Sequence, residues 1–277
     1  SSDEGIKRNL GRIGAAFGPN AIRKQLGKMT NHLKENSQLL DFGNLECEED
    51  DLEALQEDLS NTITSLLDKG AKPIVLGGSH DLAYGHYNGL KKYLKPDKKL
   101  GIINFDAHFD LRPIDKKSNS GTPFNQIISE LKKEGETIDY FAIGIQRQSN
   151  TKELFNIAKD EQVSFAINYE CESSSEELNA LKEKLSTIIK RNDYLYITID
   201  MDGFSSAYAP GVSAPSPLGF TPYFVFKMLH FLFDTNKVIS CDIAELNPSL
   251  DRDNLTAKLA AKLVDFIVMK LNKKDIF

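Results

Sequence analysis

No stretch of about twenty apolar residues occurs in the 277-residue chain, so no segment is long and apolar enough to span a bilayer as a helix. Positive charge is not in excess either. The formal net charge is −6, which argues against a nucleic-acid surface. Cysteine is scarce: Cys47, Cys171 and Cys241 lie far apart with no CxxC pair, a pattern that reads as reduced thiols in a cytosolic protein. No signal-peptide pattern, internal repeat, low-complexity tract or phosphate-binding loop stands out. The chain opens on "SSDEG" without an initiator Met, which reads as an N-terminus that has been trimmed or lost.

What is present is an ordinary globular mix, 40% hydrophobic and 27% charged. Apolar, β-branched runs at 39–42, 73–76, 100–105, 140–145, 164–167, 194–199 and 237–243 alternate with stretches of helical period. Those helices are expected near 19–29, 49–69, 81–94, 124–134, 150–160, 174–191, 221–234 and 254–272. Strands separated by single helices imply βαβ units and a mainly parallel sheet with helices on both faces. The loop-like stretches 112–123 and 205–219 interrupt this alternation without ending it, so one domain over 1–277 is expected. The acidic run 46–58 falls at a helix start, where negative charge suits the macrodipole, and reads as a solvated face.

In open parallel sheets ligands sit beyond the carboxyl ends of the strands. There the sequence places "GGSHD" with His80, "DAHFD" with Asp106, His108 and Asp110, "DMDGF" with Asp200 and Asp202, and "AELNP" with Glu245. Side chains two apart on a strand share a face, so Asp106, His108 and Asp110 are expected to converge, as are Asp200 and Asp202, with His80 beside them at a third strand end. A lone DxD is often a turn or an N-cap, and a lone histidine after Gly-Gly is often a turn residue. Four carboxylates and two imidazoles at one sheet edge are another matter, because unpaired carboxylates would raise one another's pKa values. Divalent cations remove that conflict. The N/O donor set, without thiolate, suits Mn²⁺ among first-row metals, with Fe²⁺, Co²⁺, Ni²⁺ or Zn²⁺ as possible substitutes. His32, His86 and His230 have no evident carboxylate company and read as surface or helix-face residues.

The segments "GRIGAAFGPNAIR", "VLGGSHDLAYG", "NFDAHFD", "ITIDMDGFSSAYAPGVSAP" and "DIAELNP" together resemble the ureohydrolase superfamily of arginases, agmatinases and formimidoylglutamases. The resemblance implies a three-layer α/β/α sandwich around an eight-stranded, mainly parallel arginase-like sheet. Seven strands are counted here, and the eighth is expected before "SSDEG". It also implies two Mn²⁺ per chain, one held by His80, Asp106, Asp110 and Asp200, the other by Asp106, His108, Asp200 and Asp202. Glu245 falls where the family holds the substrate's amidinium, and Asp110 where a proton is relayed to the leaving amine. Arginases and agmatinases usually read "DxDxxDP" where this chain has Ser205 and Ser206. They also usually carry a histidine where it has Ser120, in "SGTPF".

"DAHFDLRP", "SGTPF", "IGIQRQSNT" and "AYAPGVSAPSP" are most similar to the formimidoylglutamases, hydrolases of histidine degradation that convert N-formimidoyl-L-glutamate to L-glutamate and formamide. Arg112 and Ser120 are then expected to contact the glutamate end, since a guanidinium grips a carboxylate bidentately; Arg12 and Arg147 are weaker candidates. The implied partners are a small-molecule substrate and further copies of the chain in a homo-oligomer. Hydrolysis of agmatine, guanidinobutyrate or arginine stays open, as do metal-dependent phosphoryl transfer and a catalytically silent oligomeric scaffold.

Overall fold

The computed structural model describes residues 1–48 and 50–272. Among them six strands form one sheet: β1 (Ile74–Leu76), β2 (Leu100–Phe105), β3 (Tyr140–Ile145), β4 (Ser164–Ile167), β5 (Tyr194–Asp200) and β6 (Val238–Ala244). Their order is β1-β6-β5-β2-β3-β4, and every pairing is parallel. All six residues of β2 and all six of β3 are buried, as expected for strands covered on both faces.

Alternate residues of the strands feed two separate cores. Ile103 and Phe105 of β2, with Leu195, Ile197 and Ile199 of β5, pack against α7 (Ser175–Arg191), α8 (Pro222–Asp234) and α9 (Leu255–Leu271). Leu100 and Ile102, with Tyr196, face α3 (Leu52–Asp68), α4 (Leu82–Tyr93), α5 (Pro123–Lys133) and α6 (Lys152–Asp160). This is the three-layer α/β/α arrangement. Helix starts follow local chemistry: Asp51, Thr151, Ser174 and Thr221 each accept a backbone N–H as N-caps, and prolines open α5 and α8.

One expectation fails, and one element was not expected. The run 39–42 is not a strand; Leu39, Leu40 and Phe42 are exposed, and among the described residues no strand pairs with them. The short α1 (Glu4–Arg8) was not foreseen. It lies against part of the acidic run, where Arg8 pairs with Glu53 at 2.7 Å and Lys7 with Asp50 at 2.7 Å. Arg8 holds the Glu53 carboxyl at about 2, well below its ordinary range. A further helix, α2 (Gly18–Leu26), packs beside α9.

Candidate metal centre

Because β5 lies between β6 and β2, and β1 lies beside β6, the ends of these four strands are neighbours. After β1 the chain turns through Gly77 and Gly78. A Cβ on Gly78 would sit 2.0 Å from the Ser2 carbonyl oxygen, so only glycine lets the N-terminal segment close over this turn. His80 follows at once.

β2 ends at Phe105, so Asp106, His108 and Asp110 lie on the bend beyond it rather than on the strand. Their convergence is therefore a loop effect, not the strand alternation expected from the spacing. The Asp106 Oδ1 accepts the His108 N–H at 2.7 Å, and Asp200 Oδ1 accepts the Asp202 N–H at 2.7 Å. The same side-chain-to-backbone turn thus shapes both Asp-x-(His/Asp) segments. Asp110 (φ +49°) and Glu245 (φ +68°) occupy the left-handed region, an arrangement costing about 1–3 kcal/mol that the surrounding fold must hold.

Asp106 is the centre of the cluster. Its Oδ2 lies 3.3 Å from His80 Nδ1, and its Oδ1 lies 3.4 Å from His108 Nδ1. His80 Nδ1 also faces Asp110 at 2.9 Å and Asp200 at 3.2 Å, whereas His108 Nδ1 faces Asp202 at 3.2 Å. Two groups of potential ligand atoms result: His80, Asp106, Asp110 and Asp200, and Asp106, His108 and Asp202. All atoms within each group lie within 4.8 Å of one another. Asp106 belongs to both; Asp200 falls in the first alone. Asn104 Nδ2 donates to Asp106 at 3.0 Å and steadies it.

Glu245 leaves β6 with its Oε1 accepting the His80 N–H at 2.8 Å, which ties the fourth strand end to the first.

Crowding of like charge in a buried site is evident in the electrostatics. Burial, then Asp202 and Asp106, push the Asp200 carboxyl well up; burial, then Asp106, raise Asp110. Burial also raises Asp202, against the pull of His108. Glu245 is pushed to about 8 by burial and by Asp202. Burial works against charge on His80 and His108, yet the facing carboxylates lift both imidazoles well above their ordinary range. A site with this much unmet negative charge suits cations. Asp202 Oδ1 is buried with no hydrogen-bond partner among the described residues, the state of an oxygen meant for an ion. The donors are hard oxygens and imidazole nitrogens, and they fit divalent first-row metals.

The segment after Asp110 adds polar groups. Arg112 Nη1 donates to Asn9 Oδ1, and Asn9 Nδ2 donates to Ser120 Oγ at 2.9 Å. Asn9 was not singled out from the sequence, and no local motif marks it; a loop from the chain start brings it here. Arg12 is committed to the Val212 and Ser213 carbonyls, and Arg147 is exposed just beyond β3. His32 and His230 are exposed, the latter 2.9 Å from Asp234. His86 corrects the sequence reading: it is fully buried and lies 2.6 Å from Asp242. The signal was in β6, where Ser240 and Asp242 are polar residues inside a buried run and require a partner.

The chain is 42% identical over 262 residues to a formimidoylglutamase of Lysinibacillus sphaericus, covering 95% of this chain and 80% of that protein. It is 43% identical over 271 residues to a formimidoylglutamase of Legionella pneumophila, covering 95% and 81%. The crystal structure of Trypanosoma cruzi formiminoglutamase with two Mn²⁺ ions superposes with a TM-score of 0.85 at 26% identity, covering 98% of this chain and 91% of that one. Residues 5–269 match the model of the arginase family, and with relatives this similar over nearly its whole length the chain belongs to that family.

Proposed function

We propose that this protein is a binuclear-metal hydrolase, a single catalytic domain over 1–277, that converts N-formimidoyl-L-glutamate and water to L-glutamate and formamide. The observation that carries this reading is Asp106, whose two oxygens each face a different histidine within a cluster of further carboxylates. Two Mn²⁺ per chain would be held by the paired groups: His80, Asp106, Asp110 and Asp200 for one, and Asp106, His108 and Asp202 for the other. The substrate is taken from the formimidoylglutamases of Lysinibacillus and Legionella, to which the chain is similar.

When bound, a pair of such ions supplies Lewis acidity that makes water a nucleophile near neutral pH. The chain's own residues do the rest. Glu245 holds the positive charge of the formimidoyl group, which leaves its carbon open to addition of water. Asp110 takes the proton released on addition and passes it to the amine nitrogen of the glutamate. The bond between that nitrogen and the formimidoyl carbon breaks, and formamide and glutamate leave. Arg112, steadied by Asn9, grips a substrate carboxylate, and Ser120 adds a neutral hydroxyl. No helix among the described residues is long and apolar enough to cross a membrane. Three free cysteines fit a reducing, cytoplasmic setting, and the family resemblance implies a homo-oligomer.

A panel of amidine and guanidine substrates with Mn²⁺ tests the assignment. Formamide and glutamate from formimidoylglutamate are expected. Faster release of urea from arginine, agmatine or guanidinobutyrate would replace this substrate with another of the same chemical class.

A further inference from the structure

His80 turns one ring nitrogen, Nδ1, toward Asp106, Asp110 and Asp200. A neutral imidazole coordinates only through a nitrogen without hydrogen, so use of Nδ1 requires the hydrogen on Nε2. Nε2 lies 2.8 Å from Thr198 Oγ1, and Thr198 Oγ1 donates to Asp242 Oδ1 at 2.6 Å. A hydroxyl has one hydrogen to give and a carboxylate only accepts. Thr198 is therefore left to accept the His80 Nε2–H.

Asp242 is held in this role from its other side. Its Oδ2 accepts from the Tyr196 hydroxyl and from His86 Nδ1, the latter at 2.6 Å. His86 Nε2 lies 2.7 Å from Ser240 Oγ, whose hydrogen goes to the Pro73 carbonyl at 2.8 Å. Ser240 must then accept from His86, so both ring nitrogens of His86 donate. Every side chain in this chain of bonds, from His80 to Ser240, is buried, and the His86 ring packs on Tyr196 with centroids 4.6 Å apart.

The geometry points to His86 and Asp242 as positioning residues: through Thr198 they fix the ring and the tautomer of His80, so that Nδ1 presents its lone pair to the metal centre. This rests on the metal-dependent reading above. Loss of such an outer hydrogen-bond partner costs about 10–100-fold in metal affinity.

The test is a Mn²⁺ titration of metal-free protein, followed through the electron paramagnetic resonance of unbound Mn²⁺, with folding checked by circular dichroism. Thr198→Val keeps the shape and removes the hydroxyl. It is expected to weaken one of the two ions by ~10–100-fold and leave the other near its parental affinity. Thr198→Ser restores the hydroxyl and is expected to restore that ion. His86→Leu should weaken the same ion; should it fail to fold, the two Thr198 variants decide. Parental loading in Thr198→Val, equal weakening of both ions, or equal behaviour of Val and Ser overturns the inference. Failure of the parent to bind two Mn²⁺ would instead overturn the functional reading itself.

Discussion

Glu245 meets two demands at once: one oxygen accepts the His80 N–H, and the buried carboxylate sits beside Asp202 with its pKa raised to about 8. Glu245→Gln keeps an acceptor for that N–H but cannot balance a cationic substrate. The variant should therefore retain both ions and lose about 1.5–3 kcal/mol of binding to the amidinium, roughly a 10–150-fold fall in kcat/KM. Metal analysis beside steady-state kinetics checks this, and loss of an ion would make Glu245 a ligand instead. Arg112 is exposed and, among the described residues, its side chain hydrogen-bonds to the Asn9 side chain alone, which leaves most of its five donors for a carboxylate. Arg112→Ala should raise KM for formimidoylglutamate with both ions bound; an unchanged KM would reassign the glutamate end. The clustering of these histidines and carboxylates was legible in the sequence because each segment that carries them lies at the end of a recognisable strand. His86 was not, because its partners Asp242 and Tyr196 lie far along the chain and only folding brings them together.

Among the elements, β2, β3 and β4 match the sequence expectation because an unbroken apolar run between polar turns has few other places to go. The run 39–42 looked the same locally and failed, since strand pairing needs a neighbour and sequence shows only one side of a pair. α3 and α4 offer a sharper test of packing. On α4, a Cβ at Gly89 would lie 2.6 Å from the Ser60 carbonyl and 2.7 Å from Ile63 Cβ; one at Gly85 would lie 2.5 Å from the Gln56 carbonyl. Gly89→Ala gains about 0.8–1.0 kcal/mol of helix propensity. It also forces two helix backbones apart, and overpacking of this kind costs about 1–3 kcal/mol. The clash is with backbone, which cannot swing aside, so the net effect should be destabilising. Urea unfolding of the metal-free protein measures it, and a variant as stable as the parent would show that α3 shifts freely.

For the whole molecule, the buried acids set how stability follows pH. Burial raises Glu245 from 4.5 to about 8 and Asp81 from 3.8 to about 7. A group whose folded pKa is raised contributes fully below its unfolded value and loses that contribution as pH climbs to the folded one. His80 and His108, also raised, act in the same direction above 6.5. Glu53 has the opposite sign, but with a folded value of about 2 its contribution is already constant above about pH 5. The metal-free protein should therefore melt lower at about pH 8 than at about pH 5, and the gain in Tm from Mn²⁺ should widen over that window. Thermal melts with chelator and with Mn²⁺ read both trends; a metal-free Tm that climbs with pH contradicts the account. The sheet order has one more consequence, in the time domain. His80 meets Glu245 across 165 residues of sequence and Thr198 across 118. Closing loops of that size costs entropy before any contact repays it, and such topologies fold slowly. A nascent chain emerging N-terminus first holds His80, Asp106, His108 and Asp110 long before β5 and β6 have been made, so the cation site is sealed only as the last strands insert between elements already in place.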